Sequence, residues 1–233
     1  MSEMIQLGEM SVLVTRKNVK NVHLSVHPPD GRVTLVTPDA TRLEAARAYV
    51  ISKLSWIRTQ QQKLEGQARE TPRHFVTRES HYVWGRRYVL SIAYSDSKPR
   101  VTLDHKRITL TIRQGTTLEK RAEIIHAWHK SLLHETLPTL IAKWELALKV
   151  SVNGYFLQRM KTKWGSCNPS ARNIRINTEL VRKPKDLLEY VVVHEMVHLL
   201  EPTHSERFVS LMNRHYPTWR EARQELNELP LGV

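Results

Sequence analysis

Branched apolar residues between positions 12 and 36 come in three short runs, Val12-Leu13-Val14, 22–26 and 33–36, and Pro28-Pro29-Asp30-Gly31 supplies a turn between the last two. This pattern predicts a small β-meander. Thr41 and Glu44 have the spacing of a capping box, after which Leu43, Ala46, Val50, Leu54 and Ile57 recur at helical spacing. A helix is expected from there to about Gly66. After a break at Glu70-Thr71-Pro72, residues 82–92 and 101–112 alternate as strands, with a turn at 104–107.

A second capping box, Thr116 with Glu119, opens a long helical pattern through Ile125, Trp128, Leu132, Leu140, Trp144 and Leu148. Pro138 lies inside it and should kink or split the helix. Trp56, Trp128, Trp144 and Trp219 fall at helical positions and read as core. The chain then becomes strand (155–164), turn (Asn168-Pro169-Ser170), strand (174–177) and helix (184–200). The fold class is α+β: a strand-rich N-terminal half with one helix, residues 1–114, then a second domain, 115–233, with a short sheet and one strongly apolar helix. No internal repeat or low-complexity segment stands out.

That apolar helix carries His194-Glu195-Met196-Val197-His198, an H-E-x-x-H motif. At about 100° per residue, histidines at i and i+4 point the same way one turn apart, so both imidazoles can reach one ion. Glu195 lies beside that line, next to the ion without being a ligand. A zinc centre that does chemistry needs three protein ligands and one open position. Pro202 should end the helix and let a returning loop bring His204 under the other two, giving H-E-x-x-H-x5-H. Zn2+ held by His194, His198 and His204 would lower the pKa of a bound water from 15.7 towards about 7, with Glu195 as general base. The expected chemistry is hydrolysis. Three imidazoles would also accept nickel or cobalt.

Composition narrows the setting. The chain has 233 residues, 40% of them hydrophobic, enough for one sizeable core or two small ones. Cys167 is the only cysteine, so a disulfide framework is excluded and a reducing compartment fits. The acidic N-terminus carries no apolar run, and no span of about 20 apolar residues is present, so a cytoplasmic protein without a membrane role is expected. Lys and Arg number 36 against 23 Asp and Glu, a net charge of +13. Such a field concentrates anionic partners, nucleic acid or nucleotide above all, or serves solubility alone.

The segments Lys161-Thr162-Lys163-Trp164-Gly165-Ser166-Cys167, Ile174-Arg175-Ile176-Asn177, Tyr190-Val191-Val192-Val193-His194-Glu195-Met196-Val197-His198-Leu199, His204-Ser205 and Tyr216-Pro217 together resemble the YgjP-like metallopeptidase family. More distant similarity is to SprT-like and WLM zinc peptidases. The resemblance runs from about 12 to 229. It implies a minimal zincin that hydrolyses peptide bonds, with His194, His198 and His204 on zinc and Glu195 as base. The distant relatives act on proteins attached to DNA, which agrees with the basic charge. The chain departs from related patterns at Glu201, where metzincins carry Gly, and at Lys163, where Arg is expected at least as often.

Other residues are candidates for substrate binding. Alternation along 156–164 puts Arg159, Lys161 and Lys163 on one face and Phe156, Met160 and Trp164 on the other, either as a basic rim leading to the metal or as a solvated sheet face. Arg175 extends the cationic region. Strand 174–177 reads either as an edge that a peptide could extend or as an ordinary central strand. Tyr216 reads as an oxyanion donor or as packing beside Trp219, and Cys167 as a small buried residue under the helix. His126, His129 and His134 read as surface or core histidines. Two other functions remain open on these residues: a zinc phosphohydrolase acting on nucleotides, and a zinc-stabilised nucleic-acid-binding module closed by Glu206 as fourth ligand.

Overall fold

The computed structural model describes residues 2–27, 31–66 and 73–229; the break predicted at Glu70-Thr71-Pro72 and the Pro28-Pro29-Asp30 part of the predicted turn lie outside them. The protein is α+β, with three small mixed sheets and six α-helices among the described residues. It divides into two compact units between Glu70 and Thr71. The boundary expected at 114 falls within the second unit. No helix among the described residues is long and apolar enough to cross a membrane.

The first unit contains β1 (Ser2–Leu7), β2 (Met10–Lys17), β3 (His23–His27), β4 (Arg32–Pro38), α1 (Leu43–Ser52) and α2 (Leu54–Gly66). Its sheet has the order β1-β2-β4-β3, with β2 and β4 parallel, so the predicted meander is not formed. Burial explains the difference. Val33 and Leu35 of β4 are fully enclosed with Val12, Val14, Val50 and Ile57, whereas β3 carries His23, Ser25 and His27 and has no buried residue, which suits an edge. The single helix expected to Gly66 is broken at Lys53, and α1 is preceded by Arg42, with no side-chain cap from Thr41. Trp56 is 44% exposed and is not a core residue.

The second unit opens with β5 (Ser80–Val83), β6 (Arg86–Tyr94), β7 (Arg100–Leu103) and β8 (Arg107–Ile112), in the order β5-β6-β8-β7. Helix α3 (Leu118–Leu148) follows, and Pro138 does not split it. Its cap is Thr117, one residue beyond the predicted Thr116, accepting the Lys120 N–H at 3.3 Å. Early in α3, Ile125 packs on Val83, Leu90, Ile108 and Leu110; later, Leu133, Leu137, Ile141, Trp144 and Leu148 join a second, larger core. One helix thus serves two cores. The Trp84 N–H also donates to the Val181 carbonyl at 2.7 Å, which ties the β5–β6 turn to the C-terminal part. These contacts are why residues 73–114 belong with the residues after them.

The third sheet is formed by β9 (Gly154–Gln158), β10 (Gly165–Asn168) and β11 (Asn173–Asn177), in the order β10-β11-β9. A 3-10 turn (Thr178–Arg182), α4 (Lys185–Val197), α5 (Glu206–His215) and α6 (Trp219–Glu228) complete the chain. The strand predicted over 155–164 stops at Gln158. Its phase is also reversed: Tyr155 and Leu157 pack on the core while Phe156 is 51% exposed. Ile174 and Ile176 are fully buried against the core that holds α4, and Arg175 lies between them on the exposed face.

Candidate metal centre

Helix α4 is held on most sides by its own apolar residues, Leu187, Leu188, Val191, Val192, Val193, Met196 and Val197, all in the larger core. Its last turn is therefore a fixed platform. His194 lies in that turn and His198 caps it, with ring centroids 5.0 Å apart. The helix ends there, five residues ahead of Pro202. The N–H groups of Leu199, Leu200 and Glu201 return to the carbonyls of Met196 and Val197, and the Glu201 carboxylate accepts from the Thr203 hydroxyl at 2.8 Å and the Thr203 N–H at 3.3 Å. This turn sends the chain back, so the His204 ring lies 5.1 Å from that of His194 and 4.7 Å from that of His198. Phe208, 2% exposed on α5, packs under all three, at 5.0, 4.7 and 4.8 Å.

One ligand atom from each ring lies within 4.8 Å of the other two, and no carboxylate or thiol joins the group among the described residues. The chemistry of the rings fits a metal ion. Nε2 of His194 and Nε2 of His204 are 3.1 Å apart; tetrahedral zinc sites with bonds of about 2.0–2.1 Å hold their nitrogens about 3.3 Å apart. The Glu201 carbonyl lies 3.0 Å from His198 Nδ1. A proton on Nδ1 donated to that carbonyl leaves Nε2 as a bare lone pair, the tautomer a metal requires. Burial first, then His198, His204 and Arg223, pushes His194 down to about 3, and burial lowers His198 as well, so both rings stay neutral at physiological pH.

Glu195 is the next residue on α4, 6% exposed, and lines the same cleft as His194 and His204. Burial pushes its carboxyl up to about 8, against the pull of the Lys163 ammonium. Gly165, the first residue of β10, makes room for it: a Cβ built there would meet Glu195 Oε1 at 2.6 Å and Cγ at 2.7 Å. The loop ahead of β10 is fastened by Asn177, which is 1% exposed. Its amide donates to the carbonyls of Met160 (2.8 Å) and Lys163 (2.7 Å), and its oxygen accepts from the N–H groups of Met160 (3.3 Å) and Glu179 (3.1 Å). Gly165 and Asn177 sit in the quoted motifs, but only their tertiary contacts explain them.

The remaining candidates scatter. Lys163 and Trp164 line the cleft with Glu195. Arg159 pairs with Glu179 at 3.3 Å, Lys161 is exposed, and Arg175 is on the face of β11 away from α4; none of the three lines the cleft. The Tyr216 hydroxyl donates to the Asp186 carbonyl at 3.1 Å and its ring packs between Trp144 and Tyr190. Of the two readings of strand 174–177, the central one holds, and β10 and β9 are the edges. Burial, with Glu195 adding to it, pushes the Cys167 thiol up to about 11, so it stays protonated. Glu206 is not part of the histidine group. Tyr190 of α4 also lines the cleft, as do Trp219 and Arg223, which were not singled out as site residues from sequence because α6 reaches it only through tertiary packing.

The three histidines, with a buried carboxylate beside them on an α+β scaffold, form a donor set that could hold a metal ion. The model of the YgjP-like metallopeptidase domain matches residues 20–229, and the chain belongs to that family of metal-dependent peptidases. No curated protein matches the chain. Among solved structures it is similar to the metallopeptidase zymogen of Pyrococcus abyssi abylysin, at 16% identity over 39% of this chain and 91% of that one, with a TM-score of 0.37. It is also similar to the metallopeptidase zymogen of Methanocaldococcus jannaschii jannalysin, at 20% identity over 38% of this chain and 91% of that one, with a TM-score of 0.34.

Proposed function

We propose that the protein is a zinc-dependent peptidase with a minimal zincin-like site, in which His194, His198 and His204 hold the metal through Nε2 and Glu195 is the general base. The observation that carries this reading is the convergence of three imidazoles, two of which, His194 and His204, line the same cleft as Glu195. Three nitrogen donors suit zinc, and with no protein carboxylate in the group a coordination position is left for solvent or substrate. When bound, zinc supplies a Lewis acid that polarises a carbonyl and acidifies water. Glu195 takes the proton from the attacking water and returns it to the leaving nitrogen. Burial raises its affinity for a proton, which makes the ionised carboxylate a stronger base.

The β10 edge is the proposed seat of the substrate backbone. It begins at Gly165, against Glu195, and a peptide added there as a strand would lie beside the base whatever its side chains. The charge of +13 is proposed to draw the enzyme to proteins carried on nucleic acid. The decisive experiment compares the wild type with Glu195→Gln by elemental analysis and by cleavage of an unfolded protein. Both should contain one zinc per chain, with turnover in the variant reduced at least about hundredfold. Undiminished turnover would remove Glu195 from the mechanism, and loss of the metal from the variant would make Glu195 part of the metal site.

A further inference from the structure

The cleft beside the histidine triad has a volume of about 450 Å³ and extends from Glu195 to helix α6. Much of its wall is apolar and aromatic, including Trp164, Phe208, Trp219 and Leu226. Two cations interrupt that wall, Lys163 from the loop ahead of β10 and Arg223 from α6, and among the described residues Glu195 is the only carboxylate in it. Arg223 makes no ion pair or hydrogen bond with the described residues. Its helix supplies no counter-charge: the residues three and four positions away are Trp219, Arg220, Leu226 and Asn227.

We infer that Arg223, with Lys163, makes this cleft a subsite for a carboxylate, so that the enzyme prefers peptides with an acidic side chain close to the bond to be cut. The inference rests on the peptidase reading and adds the substrate class. A guanidinium offers a planar pair of donors that matches a carboxylate, and partial enclosure by aromatic walls strengthens that contact relative to open water. The apolar lining accommodates the methylene groups that carry the acid. Basic side chains meet like charge in the same cleft and are disfavoured, so selection operates by exclusion as well as by attraction.

The test uses matched peptides with Glu, Gln or Lys placed in turn at each position around one cleavable bond, and the zinc-loaded full-length protein. At one position the wild type should cleave the Glu peptide at least about tenfold faster than the Gln peptide, the scale of one charge-assisted hydrogen bond. Arg223→Gln should bring the ratio of Glu to Gln cleavage down to about one, and Arg223→Glu should invert the preference towards Lys. A second readout is the binding of fluorescent Glu and Gln peptides to Glu195→Gln, followed by anisotropy. If no peptide is cleaved but the Glu peptide still binds about tenfold tighter, and Arg223→Gln in that background removes the difference, the subsite stands and the peptidase reading falls. Equal or absent binding of the two peptides, or a preference that survives Arg223→Gln, overturns the subsite.

Discussion

At the scale of single residues, the triad was legible because its logic is local. His194 and His198 need only one turn of helix, and His204 needs only a short return loop. Gly165 was legible as part of a motif but not as a requirement, because the atom that forbids a larger residue there belongs to α4. The contact makes a sharp prediction. In Gly165→Ala the new methyl would sit 2.6 Å from Glu195 Oε1, so the carboxylate or the strand must move. The histidines proposed to hold the metal are on other elements, and metal content should persist. Displacing the base by about an ångström should lower turnover about hundredfold with little change in melting temperature. Elemental analysis beside steady-state kinetics checks this, and a variant of normal turnover would show that the site tolerates a displaced Glu195. The contact of Phe208 with all three imidazoles required the structure.

Elements followed from periodicity wherever one face was buried and failed where tertiary contacts intervened. α3 was expected as a long helix with apolar residues at helical spacing, and it forms one. Its division between two cores was not visible, since the same stripe suits either. The chain after Gln158 looked like strand because apolar and basic residues alternate, but the Asn177 side chain captures its backbone and lifts it out of the sheet. α3 also carries a group that couples its packing to pH. His129 is 3% exposed, its Nε2 has no hydrogen-bond partner among the described residues, and its titration is held well below the ordinary range by burial first and then by Arg182 and His81. Above about pH 6.5 the ring is neutral both folded and unfolded and contributes no pH dependence. Below it, the unfolded chain takes up a proton that the folded chain refuses, so stability falls as pH drops, by about 1.4 kcal/mol per pH unit for this one proton. His129→Leu should leave the same fold with a shallower acid limb between pH 6 and 4.5, measured by urea unfolding at each pH. Parallel curves for variant and wild type would mean that His129 is protonated in the folded state.

Across the whole molecule one strand arrangement occurs three times. In each sheet the last strand pairs antiparallel with the strand just before it and parallel with the strand before that: β4 with β3 and β2, β8 with β7 and β6, β11 with β10 and β9. No sequence repeat announces this, because the arrangement constrains only which strand is most buried, and many residues meet that requirement. Each sheet is followed by a helix, and only the third brings histidines to bear. Charge was legible at this scale, since +13 is a sum over the chain and does not depend on the fold. If that charge recruits the enzyme to nucleic acid, binding must release condensed counterions, and the affinity for double-stranded DNA should fall by about 0.9 log units per log unit of salt for every phosphate neutralised. A contact with four phosphates therefore predicts a slope of about −3.6, the same for unrelated DNA sequences, because phosphate contacts carry no base information. Titration of labelled duplexes between about 50 and 200 mM salt measures it, a range over which that slope costs roughly 150-fold in affinity. Arg223→Gln should leave the slope nearly unchanged if the peptide subsite and the nucleic-acid surface are separate, whereas a slope near zero would assign the excess charge to solubility alone.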